Sequence, residues 1–560
     1  MAPNVSTRTG DQPPGVGGVG ADGVGAERRL ARSGRPAPIP DPTRRWGMRP
    51  ARAAGVAGEA LVAVAAALLS VQLSRSVVVD PTDRAGQVSG VAGLDLRFVL
   101  LGLFVVGAVL IAGRFAGAAR PLINQLACAA VAGLTTGLIA GGILLALRGT
   151  DWPLFANGGD SGQLLRWADS LVAGRPIPAD YPPAVIHLIA WVAELTGDST
   201  PRALRALQVG GTALFGPVGY LAWRLLLAPG WALAVTLIAT LPLLEPYKPY
   251  TTVVLVVLVP VLIALLRELR GVADASWRRV ALVGVGTGVA LGLLFLAYSG
   301  WFVWSGPGVL AAALAVFPWR TAPARGAALL GLAGGGLVVV AAPHLLGILT
   351  AAGSVQDRFF YFDTAVDPAY FAMWRNDLPG DVGPWPPPGE LAGVGVFVVL
   401  LVVGLGLGVA LGGRRTPVIT LCALLAGAFL LRFWFASQAF ATGAVQLYPR
   451  TSAEILYCLL LLSLLAIRYG VEWVRDRLPA PERPARGLSP VAVTVGGLAA
   501  ALLLGLSIGS SVADRYQPRN DGSVGLLAYV AQMVRQPDGT CPDYGPTCAA
   551  TTDELAARNR

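Results

Sequence analysis

In a chain built largely from Val, Leu, Ala and Gly, the segment NGGDSGQLLRWADSLVAGRPIPADYPP (157–183) gathers polar residues around two carboxylates, Asp160 and Asp180. A carboxylate held beside a hydroxyl can take its proton as that oxygen becomes a nucleophile. Both residues also have a structural reading. Asp160 stands three residues before Gln163 at a helix start, where Asp is a good N-cap, and Asp180 precedes a YPP turn. A second polar island is PLLEPYKPYTT (242–252), which holds Lys248, the one lysine of the chain, among Glu245, Tyr247 and Tyr250. Since the sequence otherwise uses Arg for positive charge, a compact ammonium between two apolar runs suits a phosphate. A snorkelling residue in a tyrosine belt would look the same. Arg450, with Gln446, Tyr448 and Glu454, is a further cation where an apolar run begins, and Arg432 lies near an outer helix end.

The segment 351–390 interleaves aromatics, among them Trp374 and Trp385, with Asp357, Arg358, Asp363, Arg375 and Asp377. Flat apolar faces beside hydrogen-bonding groups suit sugar rings, and an aromatic interfacial belt shares the pattern. On this reading Arg358, Trp374, Arg375 and Tyr181 contact sugar. His187 and His344 lie in apolar segments with no metal partner at ligand spacing, and no phosphate loop, dinucleotide fingerprint or Ser-His-Asp pattern occurs. No metal site and no cofactor are expected.

The elements that must position these residues are membrane helices. Of 560 residues 54% are hydrophobic and 14% charged, with mean hydropathy +0.61, far from the roughly 25% charge of a soluble domain. Runs near the roughly 17–25 residues that span a bilayer fall at 53–74, 97–113, 122–147, 206–227, 229–244, 250–266, 280–298, 301–317, 326–350, 391–411, 417–436, 452–468 and 489–509. The fold class expected is therefore an all-α integral membrane protein of about 13 spans, with short amphipathic helices in its outer loops. A thirteen-residue run at 184–196 is too short to assign. Residues 1–52 are Gly/Pro/Arg-rich and read as a disordered cytoplasmic tail.

The net charge of +10 is distributed by topology. Arg clusters fall before 53 and in 114–120, 267–279, 319–325, 412–417 and 468–486, which are alternate loops, as the positive-inside rule requires. No basic-aromatic pattern points to nucleic acid. The outer segments are then 148–183, 351–390, 437–451 and a short tail, 510–560. Parity fails once: four apolar runs between 184 and 266 cannot join an outer loop to an inner one, so one of them is re-entrant or interfacial. Cys128, Cys422 and Cys458 lie in apolar helices, and Cys541 and Cys548 form the one pair available for a disulfide in the outer tail.

From Asp160 onward, Leu164, Leu165, Ala168, Leu171 and Val172 recur at helical spacing and Gly174 follows, which predicts a short amphipathic helix at the membrane surface. A first long outer loop that opens with an Asp, runs into such a helix and closes on YPP resembles the GT-C class of glycosyltransferases. Within that class DSGQLLRWADSL, ADYPPAVIHLIAWVAELTG and LLEPYKPY are similar to the actinobacterial galactan 5-O-arabinofuranosyltransferases, over roughly 140–270. The resemblance implies a GT-C-like bundle, with 53–509 as its catalytic domain. It also implies inverting transfer of an arabinofuranosyl unit from decaprenyl-phospho-arabinose to a cell-wall galactan, outside the plasma membrane, with Asp160 as general base. Such transfer needs a carboxylate at the acceptor and cations at the departing phosphate. Lys248 and Arg450, flanked by Tyr247 and Tyr250, fill the second role. A polyprenyl-phospho-mannose donor and, in another class, a lipid or sugar transporter are the alternatives. A transporter would carry two-fold internal repetition of broken helices.

Overall fold

The computed structural model describes residues 50–115, 120–350, 358–359, 395–442, 445–446, 448–477 and 490–558. Its elements are α1 (Pro50–Ser74), α2 (Arg84–Phe115), α3 (Arg120–Ala146), α4 (Gly159–Val172), α5 (Pro183–Thr196), α6 (Thr200–Arg224), α7 (Pro229–Val235), α8 (Pro249–Arg270), α9 (Trp277–Ala297), α10 (Gly300–Val316) and α11 (Pro323–Thr350). They continue with α12 (Gly395–Gly412), α13 (Thr416–Ser437), α14 (Ala439–Thr442), α15 (Tyr448–Arg477), α16 (Pro490–Arg515), α17 (Leu526–Met533) and α18 (Thr552–Arg558). Helix is what apolar runs must form in hydrocarbon, where every backbone N–H and C=O has to be satisfied within the segment. Among the described residues nine helices are long and apolar enough to cross a membrane, and four apolar ones are shorter. The chain is an all-α, multi-pass membrane protein. The only ladder among the described residues is two residues long, Arg358–Phe359 against Val445–Gln446.

Three expectations are refined. The run at 97–113 is the later part of α2, which starts at Arg84 because Asp83 Oδ2 accepts from Gly86 N at 2.9 Å. The run at 206–227 belongs to α6, which also carries Arg202, Arg205 and Gln208 and is not among the nine. The run at 184–196 is α5. Just before α5, Tyr181 Oη lies 3.1 Å from Tyr250 Oη at the start of α8, and just after it Thr200 Oγ1 donates to Asp169 Oδ1 of α4 at 2.6 Å. Both ends of α5 therefore sit at one end of the bundle. Its 14 residues reach only about 21 Å as helix, less than the roughly 30 Å hydrocarbon core.

The bundle centres on α3, whose Gly133, Gly137 and Gly141 face α1 so closely that a Cβ there would meet Ala63 O, Ala67 O with Ser70, and Ser74. Small residues at this spacing let two backbones touch, the usual basis of helix pairing in membranes. At one end of the bundle the Arg-rich connections meet one another: Arg325 Nη1 donates to Ala273 O at 2.6 Å and Arg415 pairs with Glu472 at 2.7 Å. Near the same end Arg224 of α6 holds the buried Glu59 of α1 through Nε (2.7 Å) and Nη2 (3.0 Å).

The opposite end carries the polar segments, and the tail after α16 is part of it. Gln532 Nε2 donates to Ala146 O and Arg148 O at 2.9 and 2.8 Å, Thr150 Oγ1 to Ala531 O at 2.9 Å, Trp152 Nε1 to Arg535 O at 3.0 Å, and Phe155 N to Leu527 O at 2.8 Å. The tail thus backs the loop that leads into α4. Cys541 and Cys548 are disulfide-bonded within it, and Asp543 N donates to Gly149 O at 3.0 Å. Cys128, Cys422 and Cys458 are free.

Candidate active site

Among the described residues, the turn before α4 holds the only non-glycine residues with positive φ. Phe155 and Ala156 both have positive φ (69° and 46°), followed by Gly159 at 48°. Left-handed conformations are costly for residues with a Cβ and persist only where the surroundings enforce them. Here the enforcement is visible. Phe155 N bonds to the tail, Ser161 Oγ donates back to Leu154 O at 2.8 Å, and the Phe155 ring packs edge-on against Tyr247. Only glycine fits at 159, where a Cβ would lie 2.7 Å from the Phe155 ring and 3.1 Å from Tyr247 Oη. The turn delivers Asp160 as the second residue of α4.

That position corrects the capping reading of Asp160. The N-cap is Gly158, which provides no side-chain cap, and the Asp160 carboxylate instead makes an ion pair with Lys248 Nζ. Both partners stay open to solvent, Asp160 at 51% and Lys248 at 28% side-chain exposure, so the pair is accessible to a ligand. The helix behaves as its sequence indicates: Leu164, Leu165 and Ala168 are buried, while Val172 at its end is exposed.

Lys248 is set by the break between α7 and α8. The helix begun at α7 widens into a π turn (Thr236–Thr240) and tightens into a 3₁₀ turn (Leu241–Leu243); Pro246 lies in the irregular stretch that follows, and Pro249 opens α8. Irregular backbone of this kind in a membrane protein is tolerated where it lines a cavity. Gln208 of α6, itself buried, clamps the two polar islands together. Its Oε1 accepts from Leu154 N at 2.8 Å and its Nε2 donates to Tyr247 O at 3.0 Å, while Ser161 N donates to Tyr247 Oη at 3.1 Å. Replacing Gln208 by Leu strands the buried Leu154 N–H, at about 1–3 kcal/mol, and leaves the part-buried Tyr247 C=O without this donor. Thermal unfolding of Gln208→Leu in detergent is expected to begin at distinctly lower temperature, with Gln208→Glu milder.

Around the ion pair the other expected residues assemble. The Tyr181 ring packs at a tilt on Trp167, centroids 4.5 Å apart, and its hydroxyl meets that of Tyr250, while the Arg450 guanidinium lies 5.2 Å from the Tyr298 ring centre. Asp160, Lys248 and Arg450 all act electrostatically on Tyr181 and on Glu245, so the three charges lie in one neighbourhood. Loss of solvation there raises the Glu245 carboxyl above the ordinary glutamate range, against the pull of Lys248 and Arg450. It likewise raises the phenols of Tyr181 and Tyr247. For Lys248 burial acts to lower the ammonium, but Asp160, by charge and hydrogen bond, with Tyr247 and Glu245, outweighs it and the net shift is upward. The lysine is therefore held charged.

Of the candidates, Asp160, Tyr181, Tyr247, Lys248, Tyr250 and Arg450 are brought together. Asp180 is not part of the ion pair; it acts electrostatically on His344, whose Nδ1 lies 3.0 Å from Ala179 O. Arg358 is paired through its backbone with Gln446, just ahead of α15, whereas Trp374 and Arg375 lie outside the described residues. Arg432 is buried and donates to the hydroxyls of Thr451 and Ser452 beside Arg450, so it positions the start of α15. Two participants were not picked out as site residues from the sequence: Gln208 and Tyr298. A glutamine within an apolar helix is the one signal that could have flagged the first. Among the described residues no group of three His, Cys, Asp or Glu could hold a metal ion. Compared with known proteins, the chain matches no family model and no curated protein.

Proposed function

We propose that the chain is a lipid-linked sugar transferase of GT-C type with thirteen membrane crossings, moving an arabinofuranosyl unit from decaprenyl-phospho-arabinose to a cell-wall galactan outside the plasma membrane. The observation that carries this reading is the cluster, among the described residues, of the solvent-accessible Asp160–Lys248 ion pair with Arg450 and several tyrosines at one end of an apolar bundle. The thirteen crossings are the nine long helices together with α6, the broken 229–243 helix, α10 and α12, with α4 and α5 lying at the outer surface. This count puts the hollow and the disulfide-bonded tail on the face opposite the Arg-rich connections.

The chemistry follows from the charges. The acceptor hydroxyl gives its proton to Asp160, its oxygen bonds to the anomeric carbon from the side opposite the phosphate, and the carbon–oxygen bond to phosphate breaks. The phosphate leaves with both bonding electrons and inverts the anomeric centre. Lys248 and Arg450 hold the growing negative charge, the kind of fixed electrostatic stabilisation that contributes most to such barriers. In the free protein Lys248 is occupied by Asp160. A donor phosphate competes for that lysine, and its arrival releases Asp160 as a base, so donor binds before acceptor is activated. The decisive assay incubates purified protein with a galactan oligosaccharide and either labelled decaprenyl-phospho-arabinose or labelled decaprenyl-phospho-mannose. Transfer from the first supports the proposal, transfer from the second moves it to a mannosyltransferase, and transfer from neither sinks it.

A further inference from the structure

On the far side of α4 from Lys248 lies a groove of about 780 Å³, separate from the Asp160 hollow. It runs beside α4 from Gly162 past Leu165 and Asp169 to Val172, and its other wall is the end of α5 and the start of α6. That stretch of helix is about 15 Å long. Its floor is apolar and buried, with Trp152 fixed by the hydrogen bond from its Nε1 to Arg535 O, and with Leu165 and Ala193 beside it. Its rim is exposed and polar: Arg166, Asp169, Glu194 and Asp198. At the end nearest Asp160, the lining residue Asn157 has a buried Oδ1 with no hydrogen-bond partner among the described residues. A buried acceptor of this kind calls for a donor.

The charges decide what the groove suits. Asp169 accepts from Thr200, and Asp198 lies 3.6 Å from Arg202, which also pairs with Asp151. Arg166 and Arg202 do not offset Asp151, Asp169, Glu194 and Asp198, so the rim is net acidic, which disfavours an anionic ligand and presents acceptors to hydroxyl groups. A flat apolar floor edged by carboxylates, an amide and a guanidinium matches a chain with CH faces and hydroxyl edges. We infer that this groove is a second subsite, binding an extended neutral oligosaccharide several residues long, whose end reaches over the first turn of α4 to Asp160. Calling that oligosaccharide the acceptor rests on the transferase reading; the subsite itself does not.

The test separates the two. The full chain, purified in detergent, is titrated calorimetrically with a soluble galactan hexasaccharide, with no lipid donor present. The parent is expected to bind, and Glu194→Trp, which fills the groove from an exposed rim position, to weaken binding at least tenfold while thermal unfolding stays unchanged. The double change Glu194→Gln with Asp198→Asn, which keeps the shape, is expected to weaken it several-fold and serves if the tryptophan variant does not fold. Equal binding by parent and folded variants, no binding by the parent at millimolar hexasaccharide, or groove-dependent binding of calcium or a lysine-rich peptide in its place would each overturn the inference. Hexasaccharide binding lost in Glu194→Trp, together with no sugar transfer by the parent, would leave the subsite standing and remove the transferase reading.

Discussion

Asp160→Asn is expected to lower sugar transfer by about 10²–10⁴-fold, the range that a general base contributes, with expression, thermal unfolding and donor binding close to the parent. The structure makes this substitution cleaner than sequence alone would allow. Asp160 is not the N-cap of α4, and no backbone hydrogen bond of the helix depends on its carboxylate among the described residues. Asparagine keeps the shape and can still hydrogen-bond Lys248, but it cannot take a proton. Retention of most activity in Asp160→Asn would mean that another group is the base. Lys248 pairs with Asp160, whereas Asp180 acts electrostatically on His344, so Asp180→Asn is expected to behave like the parent. A charge-reversed double variant, Asp160→Lys with Lys248→Asp, sharpens the distinction: it restores an ion pair and should recover thermal stability, yet remain inactive.

Lys248→Met is expected to reduce donor affinity or turnover by roughly ten- to a hundred-fold, corresponding to the loss of a charge-assisted contact worth about 1.5–3 kcal/mol. Arg450→Ala should fall in the same range, and hexasaccharide binding should survive both. Because Lys248 also holds Asp160, the two variants differ in one respect. Lys248→Met frees the carboxylate, so its residual transfer should no longer require donor to bind first. Transfer by Lys248→Met and Arg450→Ala at the parental rate and donor affinity would place the phosphate elsewhere.

Much of this arrangement was legible in the residues, and the reason is local. The 3.6-residue period of Leu164, Leu165 and Ala168 states the buried face of α4, and a lone lysine among three prolines marks a break in a membrane helix. What could not be read is long-range. Gln208 stands 54 residues from Leu154 and 39 from Tyr247, yet ties them together. The tail bonds to the 146–155 segment across separations of more than 370 residues. Nothing in the composition of 147–158 announces that Phe155 and Ala156 adopt positive φ, since that strain is imposed by the tail and by Tyr247. The role of 184–196 was ambiguous for a related reason. Its apolar content fits a membrane helix, and only the tertiary partners at its two ends place them together. The capping role was left open for Asp160 because a capping carboxylate and a paired one share the same sequence position.

The most direct measurement of the central claim is the structure of the protein, in a lipid nanodisc, with decaprenyl phosphate bound. The expected result places phosphate oxygens within hydrogen-bonding distance of Lys248 Nζ and Arg450, with the Asp160–Lys248 pair opened, the carboxylate turned toward the hollow and the prenyl chain entering the bundle. A phosphate held elsewhere, with Asp160 and Lys248 still paired, would contradict it.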